Sequence, residues 1–282
     1  MGIQKIAFEK NNLWKTIGIS GLFLIAIKIL IGQNPIIDSG YIIFYSFFCS
    51  GLMWLGITLH RPFPIRGWYL MFLGQFFDSI GNIFFCIFFY LGGSEVNLLY
   101  ESIFYVLGGF FFFLAILSMI KDFRKEISTS TVLNGIIITF SASILIWVLV
   151  LKDDLAKPSS TINALQQVIF VLAIILIIFV LSLIIMMRSG QIFALYIIFA
   201  AGIIMIIGIL NYFKLYGWTS QYFIFSELQQ VPFMELFYAV GYLLVGMAFL
   251  HPSLNKFQEN SLFLRIDANR NIIYFLGISF LL

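Results

Sequence analysis

Leu98 to Ile120 reads LLYESIFYVLGGFFFFLAILSMI, with Glu101 its only charged residue. As a helix this stretch rises about 34 Å, enough to cross the roughly 30 Å of hydrocarbon in a bilayer. Working outward, three comparable segments precede it, Trp14 to Ile31, Tyr41 to Leu59 and Gly67 to Tyr90. Four follow it, Thr131 to Leu151, Ile162 to Met187, Ile192 to Phe213 and Val231 to Leu250. Of the 282 residues 61% are hydrophobic and 10% charged, whereas a soluble domain carries about 25% charge. No period-two alternation or hairpin signal is present. Since backbone polar groups in lipid must be satisfied internally, the expected fold is an all-α integral membrane protein.

The expected architecture is eight transmembrane helices plus a truncated ninth. Residues 1–270 form the eight-span membrane domain. Asn271 to Leu282, NIIYFLGISFLL, would rise only about 18 Å, too little for a full crossing. It reads as an incomplete ninth span, with an interfacial or re-entrant helix as the alternative. Lys5, Lys10 and Lys15 precede the first span, but Ile31-Gly32-Gln33-Asn34-Pro35 lacks a small-x-small cleavage pattern, so that span reads as an uncleaved anchor.

Orientation follows from the cations. Twelve of the sixteen Lys and Arg lie on the side of the N-terminus, and only Lys152, Lys157 and Lys214 lie on the other. The positive-inside rule then puts the N-terminus in the cytoplasm and the chain in the inner (cytoplasmic) membrane, in contact with the lipid bilayer. The sixteenth cation, Lys28, sits one turn from the outer end of the first span, where a snorkelling side chain is expected. A net charge of +3 scattered over loops gives no clustered basic face, and no nucleic-acid partner is expected. Cys49 and Cys86 lie at different depths in apolar segments and read as buried thiols.

The spans suggest an internal repeat. Phe104-Tyr105-Val106-Leu107-Gly108 matches Phe237-Tyr238-Ala239-Val240-Gly241, and the same offset of 133 aligns Ala115 with Ala248 and Leu117 with Leu250. Glu95 and Glu227 stand in the loops before these two spans. Four helices per unit give halves of like orientation, about 1–125 and 126–255, hence a 4+4 parallel repeat.

The eighth span closes in Leu250-His251-Pro252-Ser253-Leu254. With the eight-span rhythm and the paired Phe-Tyr-x-x-Gly helices, this resembles the multi-span N-terminal sensory region of bacterial cyclic-di-GMP signalling proteins. In that family the eighth helix often ends Leu-His-Pro-Ser-Met, where this chain has Leu254. The resemblance implies a sensor or input domain, followed in the family by cytoplasmic GGDEF or GGDEF-EAL domains. Neither a Gly-Gly-Asp/Glu-Glu-Phe loop nor a Glu-x-Leu motif occurs here, so no catalysis is expected in this chain and output would pass to a cytoplasmic effector or within a homodimer. Leu250, His251, Pro252 and Ser253 are the signature residues through which coupling would run.

His251-Pro252 and His60-Arg61-Pro62 each place a histidine at a helix end before a proline, an arrangement expected of capping. Without further ligands at matching depth, neither histidine points to a metal or haem, and no cofactor is expected. The stronger candidates are polar residues inside the spans, because a buried carboxylate is costly unless paired or wet. Asp78 and Asn82 share a face of the third helix, Glu101 and Glu235 lie about one turn inside repeat-related helices, and Asn211 is near the outer end of the seventh. Two readings are open for these five: a vestibule for a small-molecule ligand entering from the outer side, or headgroup-zone glutamates beside an Asp78–Asn82 interhelical clamp. A small-molecule or ion-coupled transporter is the alternative function. Alkaline phosphatase fused after Asn34 is expected to be active and the same fusion after Lys125 inactive, the reverse pattern meaning an inverted topology.

Overall fold

The computed structural model describes residues 2–31, 34–91, 95–122, 129–146, 193–216 and 234–255, with positions 175 and 178. Apart from those two positions, the expected sixth span lies outside the described residues, as do the 271–282 segment and Glu227. Among the described residues there are seven α-helices and no strand: α1 Gly2–Ile31, α2 Pro35–His60, α3 Ile65–Leu91, α4 Glu95–Asp122, α5 Thr129–Ile146, α6 Phe193–Tyr216 and α7 Met234–Leu250, followed by a 3-10 turn, Pro252–Asn255. Four stretches are long and apolar enough to cross a membrane, Asn12–Ile31, Ile37–His60, Ile65–Ile87 and Leu99–Met119. Phe193–Gly208 and Glu235–Leu250 are shorter apolar helices. Glu95, expected in a loop, instead opens α4.

Local chemistry sets both ends of α2. The Asn34 side chain accepts from the N–H of Ile37 at 3.3 Å, and Asp38 Oδ2 accepts from the N–H of Asn34 at 3.2 Å, so two donors with no partner inside the helix are met reciprocally. Pro35 at the first helical position has no N–H to lose. At the other end Arg61 adopts φ 44° and its N–H bonds the carbonyl of Ile57 at 2.9 Å. This is the left-handed stop usually given to glycine, held here by an arginine at a cost of about 1 kcal/mol.

α1, α2 and α6 pack against α7, while α3 joins α2 to α4. Tyr45, Met53 and Ile57 of α2, Trp68 of α3, Ala115 and Ile116 of α4, and Ala239, Leu243 and Phe249 of α7 are buried in one core, with Trp68 set edge-on to Phe249 at 5.3 Å. Glycines bring the backbones together. A Cβ on Gly74 would lie 2.9 Å from the Gly108 carbonyl oxygen, and one on Gly108 would lie 2.9 Å from that of Gly74, so α3 and α4 cross with nothing between their main chains. Gly56 likewise faces the backbone of Phe249, closing α2 on α7. Large apolar side chains such as Phe23, Leu30, Ile137 and Phe140 point outward, a surface suited to acyl chains.

Lys28 departs from expectation. It does not reach toward a headgroup layer; its ammonium lies 2.6 Å from Asp38 Oδ1, with both side chains 6% exposed. Asp38 lies before the expected start of the second span, but α2 begins at Pro35, and that places the carboxylate opposite the end of α1. Lys28→Met leaves the carboxylate buried without its cation and is expected to cost about 3 kcal/mol or more. Lys28→Met with Asp38→Asn, which keeps an oxygen for the Asn34 cap, should recover most of that loss, as read from thermal unfolding in detergent.

Candidate functional site

Gln75, Asp78, Ser79 and Asn82 lie at i, i+3, i+4 and i+7 along α3 and so occupy one face. Asp78 is thirteen residues from either end of α3, about 20 Å, which is the middle of the helix. Gly74 and Gly81 flank this face and let α4 approach it, the ring of Tyr105 and the carbonyl of Glu101 packing over Gly81. On the α2 side, Ser79 Oγ donates to the carbonyl of Gln75 at 2.8 Å and meets Ser50 Oγ at 3.1 Å.

These residues form a directed hydrogen-bond chain across three helices. Tyr105 of α4 donates to Asn82 Oδ1 at 2.7 Å, Asn82 Nδ2 donates to the Tyr242 phenol of α7 at 2.8 Å, and that phenol donates to Asp78 Oδ2 at 2.6 Å. Gln75 Nε2 adds a bond to the same oxygen at 3.3 Å. Asp78 and Asn82, on one face of α3, are thus both tied to α7 by the Tyr242 hydroxyl. Asp78 keeps some exposed surface, as do Tyr105 and Tyr238, although all three belong to the packed helices.

Glu101 and Glu235 lie nearer the Asp38 end of the bundle. Both are buried, and both are within electrostatic reach of the Cys86 thiol, which donates to the Ser39 carbonyl at 3.6 Å. Glu101 is 5% exposed, and its Oε2 has no hydrogen-bond partner among the described residues. The structure thus gathers Asp78, Asn82, Glu101 and Glu235 into one polar region between α3, α4 and α7. The Asn211 side chain lies outside the described residues. Cys49 and Cys86 are free and buried, and among the described residues no group of three or more His, Cys, Asp or Glu could hold a metal ion.

A second polar constellation lies at the other end of α7. His60 Nε2 donates to the carbonyl of Leu250 at 3.1 Å, an acceptor left over at the helix terminus, while its Nδ1 meets the Asn255 amide at 2.9 Å. His60 therefore caps α7. His251 Nδ1 accepts from the Ser253 N–H at 3.1 Å and from the Ser253 hydroxyl at 2.8 Å, and that hydroxyl oxygen accepts from the N–H of Ala194 at 3.0 Å. Ala194 is in the first turn of α6, where N–H groups lack intrahelical partners, so Ser253 supplies a cap from outside the helix. Trp14 of α1 and Phe193 of α6 pack on the His251 ring with centroids 4.7 and 5.1 Å away. Leu250 to Leu254 thereby binds α7 to α1, α2 and α6.

Sequence reasoning missed Tyr242, Gln75, Ser79 and Asn255. A tyrosine inside an apolar span needs a partner for its hydroxyl, and Gln75 stands one turn before an unpaired aspartate; those were the available signals. No family model, curated protein or solved structure matches the chain. Tyr242→Phe keeps the ring but deprives both Asn82 and Asp78 of a partner. It should lower stability by about 1–3 kcal/mol, more than Tyr105→Phe, which removes one bond, in thermal unfolding of the detergent-solubilised protein.

Proposed function

We propose that the chain is the membrane-embedded sensory domain of a bacterial signalling protein, of the kind it resembles through Leu250-His251-Pro252-Ser253, without catalysis of its own. In this reading it spans the inner membrane eight times as a 4+4 repeat with its N-terminus in the cytoplasm. A ligand enters from the outer side, and output passes to a cytoplasmic effector or across a homodimer. The glycine crossings support the repeat: Gly74 and Gly108 bring α3 to α4, Gly208 and Gly241 bring α6 to α7, and Gly108 and Gly241 are the positions aligned by the offset of 133.

One observation carries the sensory reading. The same helix, α7, holds Glu235 and Tyr242 in the polar region and ends in the turn that caps α6 and packs on α1 and α2. Tyr242 and Leu250 are about 12 Å apart along a continuous helix, so a shift of α7 at Asp78 arrives at the capped turn. A signal acts by binding one position of α7 more tightly than another, since equal affinity moves nothing. The rival is an ion-coupled transporter, favoured by a mid-helix aspartate and, farther along the same polar region, a Glu101 oxygen without a hydrogen-bond partner among the described residues.

Spin labels at Thr58 and Tyr196, both exposed, report the spacing of α2 and α6 near this turn once Cys49 and Cys86 are replaced by Ala and Ser. Asp78→Asn is expected to shift that distance by about 2 Å, with no proton or sodium flux in proteoliposomes before or after the change. Flux in the unmodified protein that disappears in Asp78→Asn would establish the transporter.

A further inference from the structure

We infer that the polar region receives an aliphatic diamine, with one ammonium on Asp78 and the other on Glu101. This rests on the reading of that region as a ligand site and assigns its chemistry. Glu101 is 95% buried by its 5% exposure, yet Oε2 has no partner among the described residues. Both bonds to Asp78 fall on Oδ2, and Oδ1 takes none among the described residues, although the residue keeps exposed surface. No described cation pairs with either carboxylate, the ammonium of Lys28 being held by Asp38.

The levels of the two residues along α4 select the ligand. Asp78 Cβ is 3.7 Å from the position a Cβ of Gly108 would take, so Asp78 stands level with Gly108 on α4. Glu101 is seven residues, about 10 Å, farther along that helix. A single metal ion, whose ligands lie within about 2.6 Å, does not reach both. A chain of about four or five methylenes between two ammonium groups does, with N–O contacts near 2.8 Å at each end.

What lies between suits such a chain. Tyr105 is between Glu101 and Gly108 on α4, and Tyr238 is between Glu235 and Tyr242 on α7, where Tyr242 bonds Asp78. Glu101 to Gly108 and Glu235 to Tyr242 are both seven-residue intervals, so each helix presents a glutamate, then a phenol, then the level of Asp78. Both intermediate phenols are in electrostatic reach of both Asp78 and Glu101. Both phenols keep some exposed surface, and a tyrosine ring is a surface that accepts methylenes and, on its face, an ammonium group.

The test uses the full chain in detergent micelles, titrated calorimetrically with 1,4-diaminobutane, n-butylamine and sodium chloride at matched ionic strength. The diamine is expected to bind at least about tenfold more tightly than the monoamine, and Glu101→Gln and Asp78→Asn should each reduce it to the monoamine level. Thr58→Ala, remote from the region, should leave binding unchanged. Equal responses to diamine and salt, or an unaltered diamine affinity in Glu101→Gln, overturn the assignment. If the diamine fails while Asp78→Asn still shifts the Thr58–Tyr196 distance without flux, the sensory reading stands and the amine alone is discarded. If both fail, the region is an interhelical clamp.

Discussion

In hydrocarbon a polar group has no water to replace a lost partner, and this constraint orders the described bundle. Asp38 has Lys28, the hydroxyls of Ser50 and Ser79 bond backbone and each other, and Asn82 uses both ends of its amide. Where such a bond crosses from one helix to the next it also fixes how the two may sit. Tyr242 matters most in this respect, because its one hydroxyl joins two residues of α3 to α7. Removing an apolar neighbour loosens packing; removing this hydroxyl leaves the buried Asn82 amide without its acceptor and Asp78 Oδ2 with Gln75 alone.

Apolar packing makes a different contribution from the one it makes in water. Acyl chains are as apolar as leucine, so burying leucine between helices gains little, and close backbone approach has to supply the attraction. Gly74 against Gly108 and Gly56 against Phe249 provide it, and they also set the depth of the site. With α3 and α4 in main-chain contact, Tyr105 is near enough to bond Asn82 directly, and Glu101 is carried below the surface.

How much of this was legible depended on whether the signal was local. Four apolar segments announced helices long enough to span, and the spacing of Asp78 and Asn82 placed them on one face. The polarity of Lys28 was read from depth alone, because Asp38 lies ten residues later, across a chain reversal that hydropathy assigned to a loop. Tyr242 was hidden for a related reason: its partners are 160 and 164 residues distant, and a tyrosine in an aromatic-rich span looks like packing. The Leu-His-Pro-Ser run stands out as a motif, but its work is not legible in it. That Ser253 caps Ala194 and His60 caps Leu250 is a matter of which helix ends meet, 59 and 190 residues apart in the chain.

The chain of bonds from Tyr105 through Asn82 and Tyr242 to Asp78 has a polarity. Every hydrogen in it points toward the carboxylate, which accepts and offers nothing in return. A proton taken up on Asp78 Oδ2 turns that acceptor toward donation and withdraws the terminus on which the alignment depends. With the phenol of Tyr242 turned away, Asn82 would have to rotate its amide to present oxygen where it now presents nitrogen, and Tyr105 would lose its acceptor. Three helices therefore share one binary choice of hydrogen orientation, and an event at a single oxygen atom is registered on all of them at once.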